Sequence, residues 1–193
     1  MANIMKVIGL NGSVRKEGNT AIIINAVFGE LKNAGIETEL VSFSGEILQP
    51  CKACFACGGK KNCVHQSDIF GEIFQKVVQA NGIILASPSY SADVSVNIKA
   101  FIERAAVVAD MNLGLLRHKV GAAIAVARRG GALNAIDTMN HFFLNHEMFV
   151  AGSTYWNIAY GHMPGDVEKD NEGMETMKNL GINIAYLLNC LNV

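Results

Sequence analysis

Proline is scarce in this chain, three among 193 residues, and charge is sparse too, at 17% of residues with a formal net charge of −1. That composition excludes an extended or disordered polymer, and 50% hydrophobic residues supply a sizeable core. No run of Lys or Arg occurs, so the chain lacks the electrostatic footprint of a nucleic-acid binder. No apolar stretch approaches the roughly 20 residues of a membrane-spanning helix, which sets a membrane aside. The opening residues 1–12 are apolar but carry neither a basic leader nor a small-residue cleavage site, and they read as a first strand rather than an export signal. The expected setting is therefore cytoplasmic, where clustered thiols serve as ligands or redox groups more than as paired disulfides.

Four of the five cysteines are concentrated in one short segment, Cys51-x2-Cys54-x2-Cys57-x5-Cys63. Each two-residue gap lets a turn of backbone aim successive sulfurs inward. The longer gap, with Gly58 and Gly59, lets the chain fold back with the fourth. Three cysteines at successive x2 spacings are typical of ligation to a [4Fe–4S] cluster, whereas structural zinc usually takes two C-x2-C knuckles across a longer gap. Cluster, cluster-free redox thiols and zinc all remain open on spacing alone. This run also lacks the proline that follows the last cysteine in bacterial ferredoxins.

Short β-branched runs alternate with helical stretches along the whole length, the pattern of a doubly wound α/β domain with a five-stranded parallel sheet. Strands are expected at 5–10, 37–43, 82–87, 120–127 and 148–152, with the charged second strand at an edge. Helices are expected at 20–34, 68–79 with Ser67 as a possible cap, 96–109, 132–145 and 172–191. The expected organisation is one domain over 1–193, with a cysteine-rich loop, 44–66, inserted after the second strand. A second long connection, 153–171, carries Tyr155, Trp156 and Tyr160. Ligands of open parallel sheets bind outside the carboxyl ends of the strands, so these loops are expected to converge on one site.

After the first strand comes Asn11-Gly12-Ser13-Val14-Arg15-Lys16-Glu17-Gly18-Asn19-Thr20. Glycines for close backbone approach, neutral donors on Ser13, Asn19 and Thr20, a helix N-terminus and the Arg15 fork together suit a phosphomonoester. The loop is neither G-x-G-x-x-G nor a P-loop, which disfavours a dinucleotide or ATP. The plain alternative is a glycine-rich turn with a helix cap.

The segment Gly12-Ser13-x-Arg15-x-x-Gly18-Asn19-Thr20 resembles the FMN-phosphate loop of the flavodoxin-like NAD(P)H-dependent FMN reductases, and the cysteine spacing is similar to that of their iron–sulfur flavoprotein branch. Residues 87–104 resemble the family segment that wraps the flavin ring, and Arg128-Arg129-Gly130-Gly131 the loop that approaches its polar edge. The resemblance, which covers nearly the whole chain, implies a flavodoxin-like fold. It also implies an FMN site formed by Ser13, Arg15, Asn19, Thr20, Pro88, Ser89, Tyr90, Ser91, Arg128, Gly130 and Gly131. Cys51, Cys54, Cys57 and Cys63 would then hold a [4Fe–4S] cluster.

Read from the residues, Pro88 stiffens the strand exit, Tyr90 offers an aromatic face, and Gly130-Gly131 leaves amides unshielded near a helix start. The expected function is electron transfer between flavin, cluster and a redox partner, the flavin supplying the chemistry with no side-chain acid or base. The alternative is an NAD(P)H-dependent FMN or quinone reductase without a cluster. Lys52, Lys60 and Lys61 would present a basic rim to an acidic, ferredoxin-like carrier. His65, just after Cys63, reads as a hydrogen-bond donor to the thiols or as an exposed histidine, and Cys190 as a packed core thiol. The family resemblance implies a homo-oligomer, dimer or tetramer, and the aromatics of 153–171 suit such an interface.

Overall fold

A computed structural model describes residues 5–191. Its centre is a parallel sheet in the order β2-β1-β3-β4-β5, formed by β1 (Lys6–Asn11), β2 (Glu37–Ser42), β3 (Gly82–Pro88), β4 (Val120–Ala127) and β5 (Phe149–Val150). This is the flavodoxin-like arrangement. The run Val-Gly-Ala-Ala-Ile-Ala-Val-Ala of β4 is buried throughout, as a strand covered on both faces must be. β2 takes the edge, where Glu39 pairs with Lys6 at 2.6 Å and Lys76 at 3.1 Å.

Helices cover both faces. Ile8, Leu10, Ile83 and Leu85 point into a core shared with α2 (Phe70–Gln79), α3 (Val96–Asp110) and α4 (Ala132–Asn145). Val7, Ile84, Ile124 and Val126 point to the opposite core, against α1 (Asn19–Asn33) and α5 (Asn171–Leu191). The two-residue period of a strand forces this division. α1 stops as expected at Gly35, whose φ of +77° allows the Ile36 amide to reach back to the Leu31 carbonyl at 3.0 Å.

Three expectations need correction. α2 begins at Phe70 rather than 68, and its entry is braced by Asp68, whose Oδ1 accepts from the Phe70 amide at 3.2 Å, not by Ser67. The fifth strand position is split: β5 pairs with Val120 and Gly121, the chain leaves the sheet, and β6 (Ile158–Tyr160) returns to pair with Ala125, Val126 and Ala127. Buried Asn157 fills the break, donating to the Ala123 carbonyl at 3.1 Å and accepting at its own carbonyl from Ala125 at 3.0 Å. A short 3-10 helix, Asp166–Lys169, also lies inside the expected loop. Finally, Cys190 is exposed at the end of α5, because the helix turns Ile184 and Leu188 inward instead. Among the described residues, no helix is long and apolar enough to cross a membrane.

Candidate functional site

A cavity of about 270 Å³ opens at the carboxyl edge of the sheet. Ser13, Arg15, Asn19 and Thr20 line it from the loop after β1 and the start of α1; Pro88, Ser89 and Tyr90 line it from the end of β3, and Arg128 from the end of β4. The N-cap of α1 is Gly18, which has no side chain to satisfy the first amides. Those amides and the helix dipole therefore face the cavity as an anion cradle. The turn into the helix is tied by Asn11, whose Oδ1 accepts from the Ser13 amide at 3.0 Å, and by Ser13, whose Oγ accepts from the Arg15 amide at 3.1 Å.

Asn19 lines this cavity, but its side chain is already engaged. Its amide donates to the Met163 carbonyl at 2.9 Å, and its Oδ1 accepts from the Gly165 amide at 2.8 Å. Arg15 Nη1 donates to the His162 carbonyl at 3.2 Å. Asp166 completes the loop, with Oδ2 accepting from Met163 at 2.7 Å and His162 at 3.3 Å. These amides, aided by Lys169, hold the Asp166 carboxyl below the usual carboxylate range. The wall formed by Gly161 and His162 was not anticipated from the sequence, nor was the contribution of Val126. The long aromatic-bearing connection was the only sequence signal pointing there.

Ser91, Gly130 and Gly131 are placed differently, off this lining. Ser91 and Ala92 form the tip of a tight turn at φ of 49° and 62°, closed by paired backbone bonds between Tyr90 and Asp93. Asp93 ties that turn to α4 by accepting from Thr138 Oγ1 at 2.8 Å. Gly131, at φ of +84°, packs its backbone against Ala92 and the Ser89 hydroxyl, where a Cβ would lie 2.8 Å from Ala92 Cα. It therefore supports the turn from beneath.

All four clustered cysteines, Cys51, Cys54, Cys57 and Cys63, line a second cavity. The backbone reverses between them at Ala53, Phe55, Gly59 and Lys61, all at positive φ. Gly59 supplies the expected fold-back, while three non-glycine residues occupy a region that costs roughly 1–2 kcal/mol each. α3 holds the strained loop in place. Asn112, just past its end, donates to the Cys57 carbonyl at 3.0 Å and accepts from the Lys61 amide at 3.1 Å. Phe55 and Val64 join Val107 and Val108 of α3 in the lining. Burial pushes the Cys57 thiol up, and the neighbouring thiols push in the same direction. Cys54 Sγ lies 3.5 Å from His65 Nε2.

The four cysteines share one cavity, yet among the described residues no three His, Cys, Asp or Glu side chains are gathered to hold a metal ion. Nor do the two cavities merge: they share no lining residue. The cysteine loop leaves the carboxyl edge, then runs down α3, touching Asn97 near its start, Arg104 at its middle and Asn112 beyond its end. At about 1.5 Å per residue, that contact line extends along most of the helix.

In the sequence Arg104 reads as one basic residue at the end of the 87–104 segment, with nothing to mark its partners. It is 3% exposed and lines the cysteine cavity.

The family model described as NADPH-dependent FMN reductase matches residues 5–163. An iron–sulfur flavoprotein of Methanocaldococcus jannaschii is 38% identical over 192 residues, covering 95% of this chain and 97% of that protein. An iron–sulfur flavoprotein of Methanosarcina thermophila is 35% identical over 187 residues, covering 95% of each. Among solved structures, a flavodoxin, WrbA-like protein from Agrobacterium tumefaciens superposes with a TM-score of 0.67 at 16% identity, covering 97% of this chain and 99% of that one. That likeness establishes the fold alone.

Proposed function

The chain belongs to the NADPH-dependent FMN reductase family, and on that premise we propose that it is an electron-transfer flavoprotein carrying FMN and a [4Fe–4S] cluster. FMN would lie in the carboxyl-edge cavity, its phosphate against the start of α1. There Ser13, Thr20 and the uncapped amides donate, and Arg15 supplies charge. Pro88, Ser89 and Tyr90 would flank the ring, and Arg128 would meet its polar side.

The observation that carries the cluster assignment is the arrangement of the four thiols. All four line one cavity, and four thiols around a common space are the ligand set that a [4Fe–4S] cluster takes. The donor set is all thiol, and Val107, Val108 and Phe55 add apolar lining beside it. When bound, FMN exchanges two electrons and the cluster one, so together they couple a two-electron donor to a one-electron carrier. The chain's own residues bind, orient and shield these groups.

Lys52, Lys60 and Lys61 stand exposed around the cysteine loop and suit docking of an acidic, ferredoxin-like carrier. Charge reversal at all three should slow electron transfer and flatten its salt dependence; unchanged rates would exclude that docking face. The family's description favours a second reading, an NAD(P)H-dependent FMN or quinone reductase with free thiols. Anaerobic reconstitution separates the two: flavin with iron and acid-labile sulfide supports the first, flavin without iron the second. A homo-oligomer is part of the proposal, supported by Tyr155 and Trp156, which stack edge to face at 4.6 Å while more than half exposed.

A further inference from the structure

Arg104 is nearly inaccessible, yet it is linked to both ends of the cysteine loop. Its Nη1 donates to Asp68 Oδ2 at 2.5 Å and to the Gln49 carbonyl at 3.4 Å, and its Nη2 donates to the His65 carbonyl at 2.8 Å. Gln49 precedes the first cysteine of the loop and His65 follows the last. The guanidinium is also stacked on Phe70, 4.1 Å from the ring centre. A guanidinium is not deprotonated in proteins, so it is a permanent cation, with Asp68 as its countercharge.

The orientation of the pair gives it a direction. Arg104 lines the cysteine cavity and Asp68 does not, so a buried dipole presents its positive end to the cavity that the four cysteines share. A cluster bound by four thiolates becomes more negative on reduction. A fixed cation with little water to screen it favours the reduced form. Most surface lysines of the loop, by contrast, are screened.

We infer that Arg104 is a positioning residue of the cysteine cavity with two roles: it clips the loop shut across Gln49 and His65, and its guanidinium raises the reduction potential of the cluster held there. This rests on the cluster reading above. Either role alone would be met by a different side chain: a neutral residue could fill the space, and a lysine could carry the charge without the forked bonds.

The test uses the anaerobically reconstituted full chain and compares wild type with Arg104→Lys and Arg104→Met. Iron, sulfide and FMN content come first, then the midpoint potential by redox titration, then the rate of iron loss to a chelator. Arg104→Met should shift the reduction equilibrium at least tenfold toward the oxidised form, about 59 mV for one electron. Arg104→Lys should stay within about threefold of wild type in that equilibrium. Both should lose iron at least several-fold faster, with FMN content unchanged.

An unaltered potential in Arg104→Met overturns the electrostatic role, and an equal fall in Arg104→Lys shows that geometry alone was disturbed. If Arg104→Met does not retain iron and FMN, Asp68→Asn decides. Removing the countercharge should raise the potential, and a lowered or unchanged value overturns the inference. A wild type that holds FMN but no iron after reconstitution overturns the cluster reading itself, and this inference with it.

Discussion

The side-chain amide of Asn19, at the first turn of α1, donates to the main-chain carbonyl of Met163 at 2.9 Å, joining residues 144 apart in sequence. With the return bond from Gly165 to Asn19 Oδ1 at 2.8 Å, it fastens the 161–165 loop over the anion cradle. The residue is mostly buried, so both bonds form away from bulk water.

Replacing Asn19 by Ala should therefore release the loop without removing any phosphate donor. Losing these two bonds should weaken FMN binding by up to about thirtyfold, in keeping with roughly 1 kcal/mol per net hydrogen bond. Flavin fluorescence titration measures the affinity, and hydrogen exchange should show lost protection confined to 161–165. Unchanged protection would show that the loop is held by other contacts.

Gly12 is required for packing rather than for conformation. A Cβ there would lie 2.3 Å from Ile98 Cγ1 and 2.7 Å from Ser95 Oγ, the N-cap of α3. Gly12→Ala should destabilise the fold by about 1–3 kcal/mol as α3 is displaced, lowering the melting temperature by several degrees. Gly130→Ala, with no atom within 4 Å of the added Cβ, is the matched control and should leave it unchanged. A melting temperature preserved in both variants would contradict the close approach of β1 and α3.

Asp68 links pH to the integrity of the cysteine loop. Burial raises its pKa, but bonds from Arg104 and from the Gln49 and Phe70 amides outweigh that and hold the carboxyl below the usual range. A group whose folded pKa is depressed contributes stability above its unfolded value, near about 4, and loses it as pH falls through the folded value. Asp68→Asn should cost about 3 kcal/mol at neutral pH by stranding Arg104, and the gap to wild type should narrow below about pH 4. Denaturant titrations at several pH values check this. A gap independent of pH would mean that Asp68 is not ionised in the folded chain.

The exposed thiol of Cys190 contrasts with the quartet. Cys190→Ser should leave stability, FMN content and iron content unchanged. Loss of iron in that variant would mean that the ligand set had been misassigned.

The sheet was largely legible because burial imposes periods on sequence. β4 reads as an apolar run, β2 as a charged edge, and α1 stops at a glycine that adopts positive φ. The phosphate-type loop and the cysteines were legible because their chemistry is local and closely spaced. The split of the last strand was not: β6 has three residues, too few for a period, and it forms because Asn157 bridges the break beside Ala123. Nor were the engagement of Asn19 by a distant loop, the wall at His162 and the placement of Arg104, since each depends on pairings far apart in sequence. The exposure of Cys190 was not legible either, because one residue of helical phase separates a buried position from an exposed one.

The most direct test of the central claim is the cofactor content of the anaerobically reconstituted chain and of its Cys51→Ser, Cys54→Ser, Cys57→Ser and Cys63→Ser variants. The account predicts FMN in all five proteins, iron and acid-labile sulfide in equal amounts in the wild type, and loss of both in the variants. FMN without iron in the wild type, or zinc in place of iron, would contradict it.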